Sequence, residues 1–468
     1  MKRVVIVGGG IAGLAAAYRL TQEAPDVTAT LVESETRLGG KILTERVNGF
    51  VIEGGPDTFL SLKPRGLGLC RELGLEGRLH GTNEKIRRTY VMRGGKLYDL
   101  PEGLTGLIPS RFGPMAKTGL ISPFGKLRMG LDFLIPPRSV DGDESLAAFV
   151  ERRLGRELYD RLIEPLMSGI YAGDGEQLSL AATFPQLRQA ELDHGGLIKG
   201  MLAAKHKAPP PKPGAKKWSA FLTPTTGLAE IVEALARKLG EVEIRLGERV
   251  ASVEAASTGY EVQLANGETL ATDAVICATP AFVTADLISN LDSQIASALR
   301  AIPYVSTVTV SVAYPLADVP RPLDGYGYIV PRLERRPILA CTWTSTKFPH
   351  RAPEGYGLIR AFVGRAGQEG ALARTDAELL DWVREELRRT LGITAPPVFH
   401  RIFRWPKAMP QYTLGHLDRL ATIERRLAAH PGLSVAGNAY RGIGLPDCIA
   451  SGESAAEQAL AYLQTLSV

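Results

Sequence analysis

Six residues near the N-terminus, Gly8-Gly9-Gly10-Ile11-Ala12-Gly13, have the types and spacing to cradle a diphosphate. The apolar run Lys2-Arg3-Val4-Val5-Ile6-Val7 leads into them, and the helix-forming run Leu14-Ala15-Ala16-Ala17-Tyr18-Arg19-Leu20 leads out. In such a strand–turn–helix, Gly8 permits the tight turn and Gly10 lets a pyrophosphate approach the backbone. Gly13 lets helix and strand pack closely. The phosphates would rest on free N–H groups at the positive end of the helix. A second run, Thr28-Ala29-Thr30-Leu31-Val32, ends at Glu33, about 20 residues past the last glycine, where a ribose-binding acid is expected. A carboxylate there accepts from ribose hydroxyls and repels a 2′-phosphate, which disfavours NADP. A glycine fingerprint alone also fits an ordinary strand–loop–helix.

A second glycine pair separates FAD from NAD. Arg37-Leu38-Gly39-Gly40-Lys41 resembles the Arg-x-Gly-Gly element of the superfamily of amine oxidases, phytoene desaturases and protoporphyrinogen oxidases. With Glu33 and this pair in register, the opening reads as FAD-binding.

The elements that must position these residues are spread along the chain. Glu53-Gly54-Gly55-Pro56-Asp57 is a glycine-rich turn soon after the opening. Further on, Leu228, Ile231, Leu235 and Leu239 share one face of an amphipathic helix. Strand-like runs come next at Ile244–Leu246, Val250–Val253, Tyr260–Leu264 (turning at Asn266-Gly267) and Ala274–Cys277. Residues 101–206 are mainly helical in pattern, broken at Pro109, Pro114, Pro123 and Pro136-Pro137. The basic, proline-rich stretch 206–217 reads as an exposed loop or linker. From Val305 to Arg401, Val308–Val312 and Ile338–Trp343 predict a second sheet, interrupted by one helix near Ala377–Leu391.

These runs predict an α/β fold with a discontinuous Rossmann-like FAD-binding domain, a substrate-binding sheet domain and an inserted helical domain. The expected cofactor segments are 1–85, 216–295 and 416–468. The helical part covers 86–215 and the sheet part 296–415.

At 468 residues, 45% apolar and 22% charged, the chain has the composition of a water-soluble globular protein. No window approaches the ~18 uninterrupted apolar residues of a membrane span. The first strand begins so early that no signal or transit peptide is expected. Cys70, Cys277, Cys341 and Cys448 are far apart, which fits buried thiols in a reducing cytoplasm. Neither they nor the seven histidines show metal-ligand spacing, so no metal is expected. The formal charge of +5 is not gathered into a stripe, which argues against nucleic acid.

By mid-chain the likeness narrows. Leu162-Ile163-Glu164-Pro165-Leu166-Met167-Ser168-Gly169-Ile170-Tyr171-Ala172-Gly173-Asp174 resembles a stretch typical of bacterial porphyrinogen oxidases. Leu178-Ser179-Leu180, Thr183-Phe184-Pro185-Gln186, Met409-Pro410-Gln411-Tyr412 and Gly442-Ile443-Gly444-Leu445-Pro446-Asp447-Cys448-Ile449 extend it. The resemblance runs from Val4 to about Leu463. Within the family it is strongest to the coproporphyrinogen III oxidases of haem biosynthesis, with protoporphyrinogen IX oxidases as near relatives.

The resemblance implies noncovalent FAD and molecular oxygen. A porphyrinogen would lose six electrons in three rounds, giving a porphyrin and hydrogen peroxide. It places Gly8, Gly9, Gly10, Ile11, Ala12 and Gly13 at the pyrophosphate, and Glu33 and Ser34 at the ribose. Lys41, Gly55, Pro56, Asp57 and Thr58 would lie along phosphates and flavin, Val250 at the adenine and Trp405 near the cofactor. Ile443, Gly444 and Leu445 would approach the ring, where donors at a helix N-terminus stabilise negative charge. No protein acid or base is expected, because pyrrole protons can pass to water.

Lys63, Ile170 and Phe362 match substrate positions of the family. Lys63 is a candidate partner for a propionate, Arg65 is the alternative, and a surface charge is the other reading for either. Phe362 stands where some relatives carry a tyrosine, which leaves it an aromatic wall. Coproporphyrinogen brings four propionates and protoporphyrinogen two, so extra cations favour the former.

Gly119–Gly125 and Met129–Ile135 are read as core of the helical part at about two to one over a bilayer-facing surface. The cytoplasm is the expected location, with weak peripheral membrane contact allowed and a transient contact with a ferrochelatase compatible. Two rival readings are a flavin oxidase of amines or polyenes, which a covalent link through Cys448 would favour, and a non-catalytic porphyrin carrier.

Overall fold

The computed structural model describes residues 2–105, 108–109, 112–139, 142–207 and 218–466. Its cofactor half is organised by a five-stranded parallel sheet. The strand order is Glu243–Leu246, Thr28–Glu33, Arg3–Val7, Ala274–Cys277, Leu433–Val435. Three separate stretches of chain supply it. Alternation along the central strands sends Val4, Ile6, Ala274 and Ile276 to one face and Val5, Val7, Val275 and Cys277 to the other. Both sets are apolar because both faces are covered, as a parallel sheet requires. Helices Ile11–Glu23, Ala229–Lys238 and Leu445–Thr465 cover the first face. The second carries the antiparallel strands Val250–Ala255, Tyr260–Leu264 and Thr269–Thr272, with helices Ser293–Arg300 and His416–Leu427.

The second sheet has seven strands, in the order Phe399–Pro410, Tyr304–Pro315, Tyr356–Val363, Ile338–Trp343, Gly327–Ile329, Tyr90–Arg93, Lys96–Asp99. Sequence reading placed its centre but not the Tyr90–Asp99 hairpin at its edge, which joins by one parallel pairing, Tyr328 opposite Tyr90. A period of two sets its faces apart. Val308, Val310, Val312, Ile359, Ala361 and Val363 pack beneath helix Asp376–Leu391. Thr307, Thr309, Arg360 and Phe362 point the opposite way, into a cavity.

The helical part is gathered around Phe149, Leu158, Leu162, Met167 and Leu197. It is not purely helical, since Leu104–Thr105 and Ile108–Pro109 pair as short strands. Pro123 and Pro114 lie inside helices rather than breaking them. Pro123 occupies the first turn of Pro123–Gly130, where its missing N–H removes no bond. The expected loop at 208–217 lies outside the described residues; Leu197–Lys207 before it is helix.

The expectation of a core at 119–135 is half overturned. Leu120 and Ile121 are buried, but Phe124 is 84% exposed and Leu134 79%, with Leu127, Leu131 and Phe133 exposed as well. Spacings of three and four put Phe124, Leu127, Leu131 and Leu134 on one side of the helical segment, away from the core. Among the described residues no helix is long and apolar enough to cross a membrane.

Candidate functional site

A cavity of about 1120 Å³ runs between the parallel sheet and the seven-stranded sheet. That exceeds the roughly 300–1,000 Å³ of a typical single-ligand pocket, leaving room for a cofactor and a substrate side by side. Gly8, Gly10, Ile11 and Ala12 line one end. Gly8 has φ +107°, and a Cβ on Gly13 would lie 1.9 Å from the Gly8 carbonyl oxygen. No side chain fits between that helix and strand. Above Gly10, by contrast, the space is open. Leu14 N–H donates to Gly10 O at 2.9 Å, and Gly10 bridges to Gly39 as in a parallel ladder, which turns the Ile11 N–H towards the Gly39 carbonyl. The N–H groups of Ala12 and Gly13 have no partner among the described residues, which fits a diphosphate there.

Glu33 ends its strand at the cavity wall. One carboxylate oxygen accepts from Gly9 N–H (2.6 Å), and the other accepts from Glu35 N–H (2.8 Å) and the Ser34 hydroxyl (3.2 Å). Glu33 and Ser34 both line the cavity. Gly9 and Gly13 stand behind it. The second glycine pair is built onto the first: Gly39 N–H donates to Gly9 O (2.8 Å), and Arg37 donates to the carbonyls of Leu38, Gly40 and Ile42.

The middle of the cavity is walled by Lys41, Gly55, Pro56, Asp57 and Thr58. A Cβ on Gly55 would meet the Lys41 carbonyl oxygen at 1.9 Å, so the two segments touch through backbone. Burial pushes the Lys41 ammonium down to about 8. Burial also works to raise the Asp57 carboxyl, but Lys347, 3.1 Å away, and Arg360 outweigh it and hold it at about 2. Three donors converge on the Gly54 carbonyl oxygen: Trp405 Nε1 (2.8 Å), Thr309 Oγ1 (2.9 Å) and an Arg360 Nη (2.9 Å).

Val250 lines the cavity beside Glu33, whose carbonyl accepts from Glu248 N–H at 3.0 Å, and Trp405, Ile443, Gly444 and Leu445 line it as well. Leu445 opens the last helix with Pro446 in its first turn, and the Leu445 N–H has no partner among the described residues. Tyr412 pins the loop before it, accepting from Gly442 N–H (2.9 Å) and donating to Asn438 O (2.7 Å). His416 stacks on Tyr412 with ring centroids 4.2 Å apart.

The substrate candidates separate. Ile170 and Phe362 line the cavity beside Leu339 and Met409. Lys63 does not; its Nζ is 2.7 Å from Asp447 Oδ1. Arg65 is paired with Glu453 and Glu72. Cys448 lines the cavity as a buried thiol, pushed up to about 12 by burial, and a neutral thiol is a poor nucleophile. Sequence reading gives Arg360, Thr309 and Lys347 no role, and Tyr412 enters it only as part of the Met409–Tyr412 stretch. For Arg360 the signal was there: a lone arginine in Leu358-Ile359-Arg360-Ala361-Phe362, an otherwise apolar strand.

Residues 11–460 match the model of the flavin-containing amine oxidoreductases. The chain belongs to that family. This flavin-containing oxidoreductase is 39% identical to the coproporphyrinogen III oxidase of Bacillus subtilis (strain 168), over 99% of its own length and 98% of that protein's. It is 33% identical to the protoporphyrinogen oxidase of Homo sapiens, with 98% of each covered. The crystal structure of a protein from Exiguobacterium sp. 255-15 superposes with a TM-score of 0.86 at 34% identity, over 99% of both chains. The flavin that the family name implies fits the free N–H groups of Ala12 and Gly13 and the open space over Gly10.

Proposed function

We propose that this oxidoreductase binds FAD noncovalently and uses molecular oxygen to oxidise coproporphyrinogen III to coproporphyrin III in haem synthesis, releasing hydrogen peroxide. The observation that carries the reading is one cavity joining the diphosphate loop to an apolar chamber, in a chain that matches the B. subtilis coproporphyrinogen III oxidase end to end. When bound, FAD supplies the electron acceptor.

The protein's share is to bind, orient and shield. The N–H groups of Ala12 and Gly13 take the diphosphate, Glu33 and Ser34 the ribose, and Val250 the adenine. Lys41, the Gly55–Thr58 wall, Trp405 and Ile443–Leu445 enclose the ring, with the free Leu445 N–H at the helix N-terminus directed to developing negative charge. Ile170 and Phe362 form apolar walls against the macrocycle. No side chain needs to act as acid or base, since pyrrole protons are lost to water. The Lys63 ammonium is engaged by Asp447 at 2.7 Å, so no propionate is assigned to it.

Oxidation of protoporphyrinogen IX is the second reading, favoured by full-length likeness to the human protoporphyrinogen oxidase and by an apolar chamber that suits vinyl groups. The exposed face of Phe124, Leu127, Leu131 and Leu134 supports weak peripheral contact of a cytoplasmic protein with a bilayer. Anaerobic coproporphyrinogen III and protoporphyrinogen IX, each mixed with FAD-loaded protein and aerated, test the assignment. Porphyrin fluorescence should rise much faster with coproporphyrinogen than in an enzyme-free control. Faster protoporphyrin formation would select the second reading. No acceleration of either, with FAD bound, would sink both and leave a flavin oxidase of amines or polyenes, or a carrier role.

A further inference from the structure

Arg360 is a buried cation with no part in the binding roles assigned to its neighbours. It is 3% exposed, lines the cavity and lies over the Phe362 ring at 4.8 Å. One terminal nitrogen donates to the carbonyls of Gly54 (2.9 Å) and Gly55 (2.5 Å). The buried Nε has no partner, and Nη1 has none among the described residues.

The charges around it are already matched. Glu53 pairs with Arg351 at 2.8 Å and Asp57 with Lys347 at 3.1 Å. No carboxylate lies within ion-pair distance of Arg360 among the described residues. Asp57 and Glu53 act on Arg360 at longer range, but these two carboxylates face three cations, Arg351, Lys347 and Arg360. A buried guanidinium whose hydrogen bonds go only to neutral carbonyls is costly unless a further anion joins it. Substrate carboxylates are strongly hydrated and suit the open mouth of the cavity. A dry, fixed cation beside the Gly55–Thr58 wall suits charge that appears inside.

We propose that Arg360 is the cation that offsets the negative charge of reduced FAD and so sets how strongly the bound cofactor accepts electrons. The proposal rests on the reading that this cavity binds FAD. Uptake of two electrons from substrate with one proton leaves the ring one negative charge, and Arg360 keeps its own proton throughout. Arg360 acts through the field it places on the cofactor, and the strand Tyr356–Val363 that carries it is fixed from its opposite face, where Ile359, Ala361 and Val363 pack on helix Asp376–Leu391.

The test compares FAD-loaded wild type with Arg360→Met and Arg360→Lys, using sulfite, an anion whose affinity for oxidised flavin follows the same stabilisation, together with the midpoint potential. Arg360→Met should bind sulfite at least tenfold more weakly, with a more negative potential and little change in KM. Arg360→Lys should recover most of both. An unchanged sulfite affinity and potential with a raised KM would overturn the proposal and put Arg360 on a substrate carboxylate. Loss of FAD by both variants would overturn it in favour of a structural clamp on Gly54 and Gly55. Wild type that takes up no FAD would overturn the cofactor reading along with it.

Discussion

The Lys63 ammonium lies 2.7 Å from Asp447 Oδ1, joining the cap of helix Pro64–Glu72 to the first turn of helix Leu445–Thr465. Asp447 also accepts from Gly444 N–H at 3.1 Å, so the pair braces the loop that lines the cavity. Lys63 is partly exposed, and such pairs contribute about 0.2–1 kcal/mol. Lys63→Met should therefore lower stability by less than about 1 kcal/mol and reduce FAD affinity a few-fold, with KM for either porphyrinogen nearly unchanged. A tenfold rise in KM with normal FAD affinity would move the ammonium onto a propionate.

Gly10 and Gly13 should fail differently. A methyl on Gly13 collides with the Gly8 carbonyl, whereas a methyl on Gly10 meets no protein atom. Gly13→Ala is expected to lose about 3 kcal/mol or more by overpacking. Gly10→Ala should cost about 1 kcal/mol or less, because its φ of −69° suits alanine, yet purify almost without flavin. Urea denaturation and the visible spectrum separate the two effects.

Acid should weaken the fold through His416. Burial holds its imidazole down at about 4, against a partly opposing hydrogen bond to the Tyr440 carbonyl. The unfolded chain protonates near 6.5, so this contribution is complete above that pH and is lost as pH falls towards 4. Between pH 7 and pH 5 the loss is about 2 kcal/mol. Denaturation of His416→Gln should show a pH slope shallower by about one proton over that window. Because His416 stacks on the Tyr412 that pins the Asn438–Gly442 loop, flavin release should track the same window.

The apolar face of the helical part should bind lipid weakly. Phe124→Ser with Leu127→Ser and Leu134→Ser removes its three most exposed large side chains and touches no buried one. Wild type should co-sediment in part with phospholipid vesicles and the triple variant should not. Equal sedimentation of both would remove this surface as the contact.

The cofactor opening was legible because its glycines answer local steric demands. Gly8, Gly13 and Gly55 each sit where a side chain cannot, and the apolar runs at 3–7 and 274–277 are buried on both faces. What escaped was set by partners remote in sequence. Lys63 reads as a free cation until Asp447, 384 residues on, comes alongside. Among the described residues the hairpin at 90–99 pairs with the large sheet through Gly327–Ile329 alone. Apolar spacing at Phe124–Leu134 is the same for a buried face and a bare one, so burial there could not be told from pattern. Arg360 announced by residue type that it was unusual, but only the cavity shows which way it faces.

The order of strands in the parallel sheet also governs how the molecule can be made. Its first two strands leave the ribosome early, yet Leu433–Val435 closes the edge, and helix Leu445–Thr465 covers helix Ile11–Glu23, with Gly452 against Ala12. Until those last segments emerge, the newborn chain carries an uncovered apolar sheet face and half a diphosphate cradle. Pairings this distant are slow to form and leave the waiting surface open to aggregation. Flavin capture therefore waits for helix Leu445–Thr465, and a variant lacking that helix would leave the glycine loop intact in sequence and without a wall to hold what it binds.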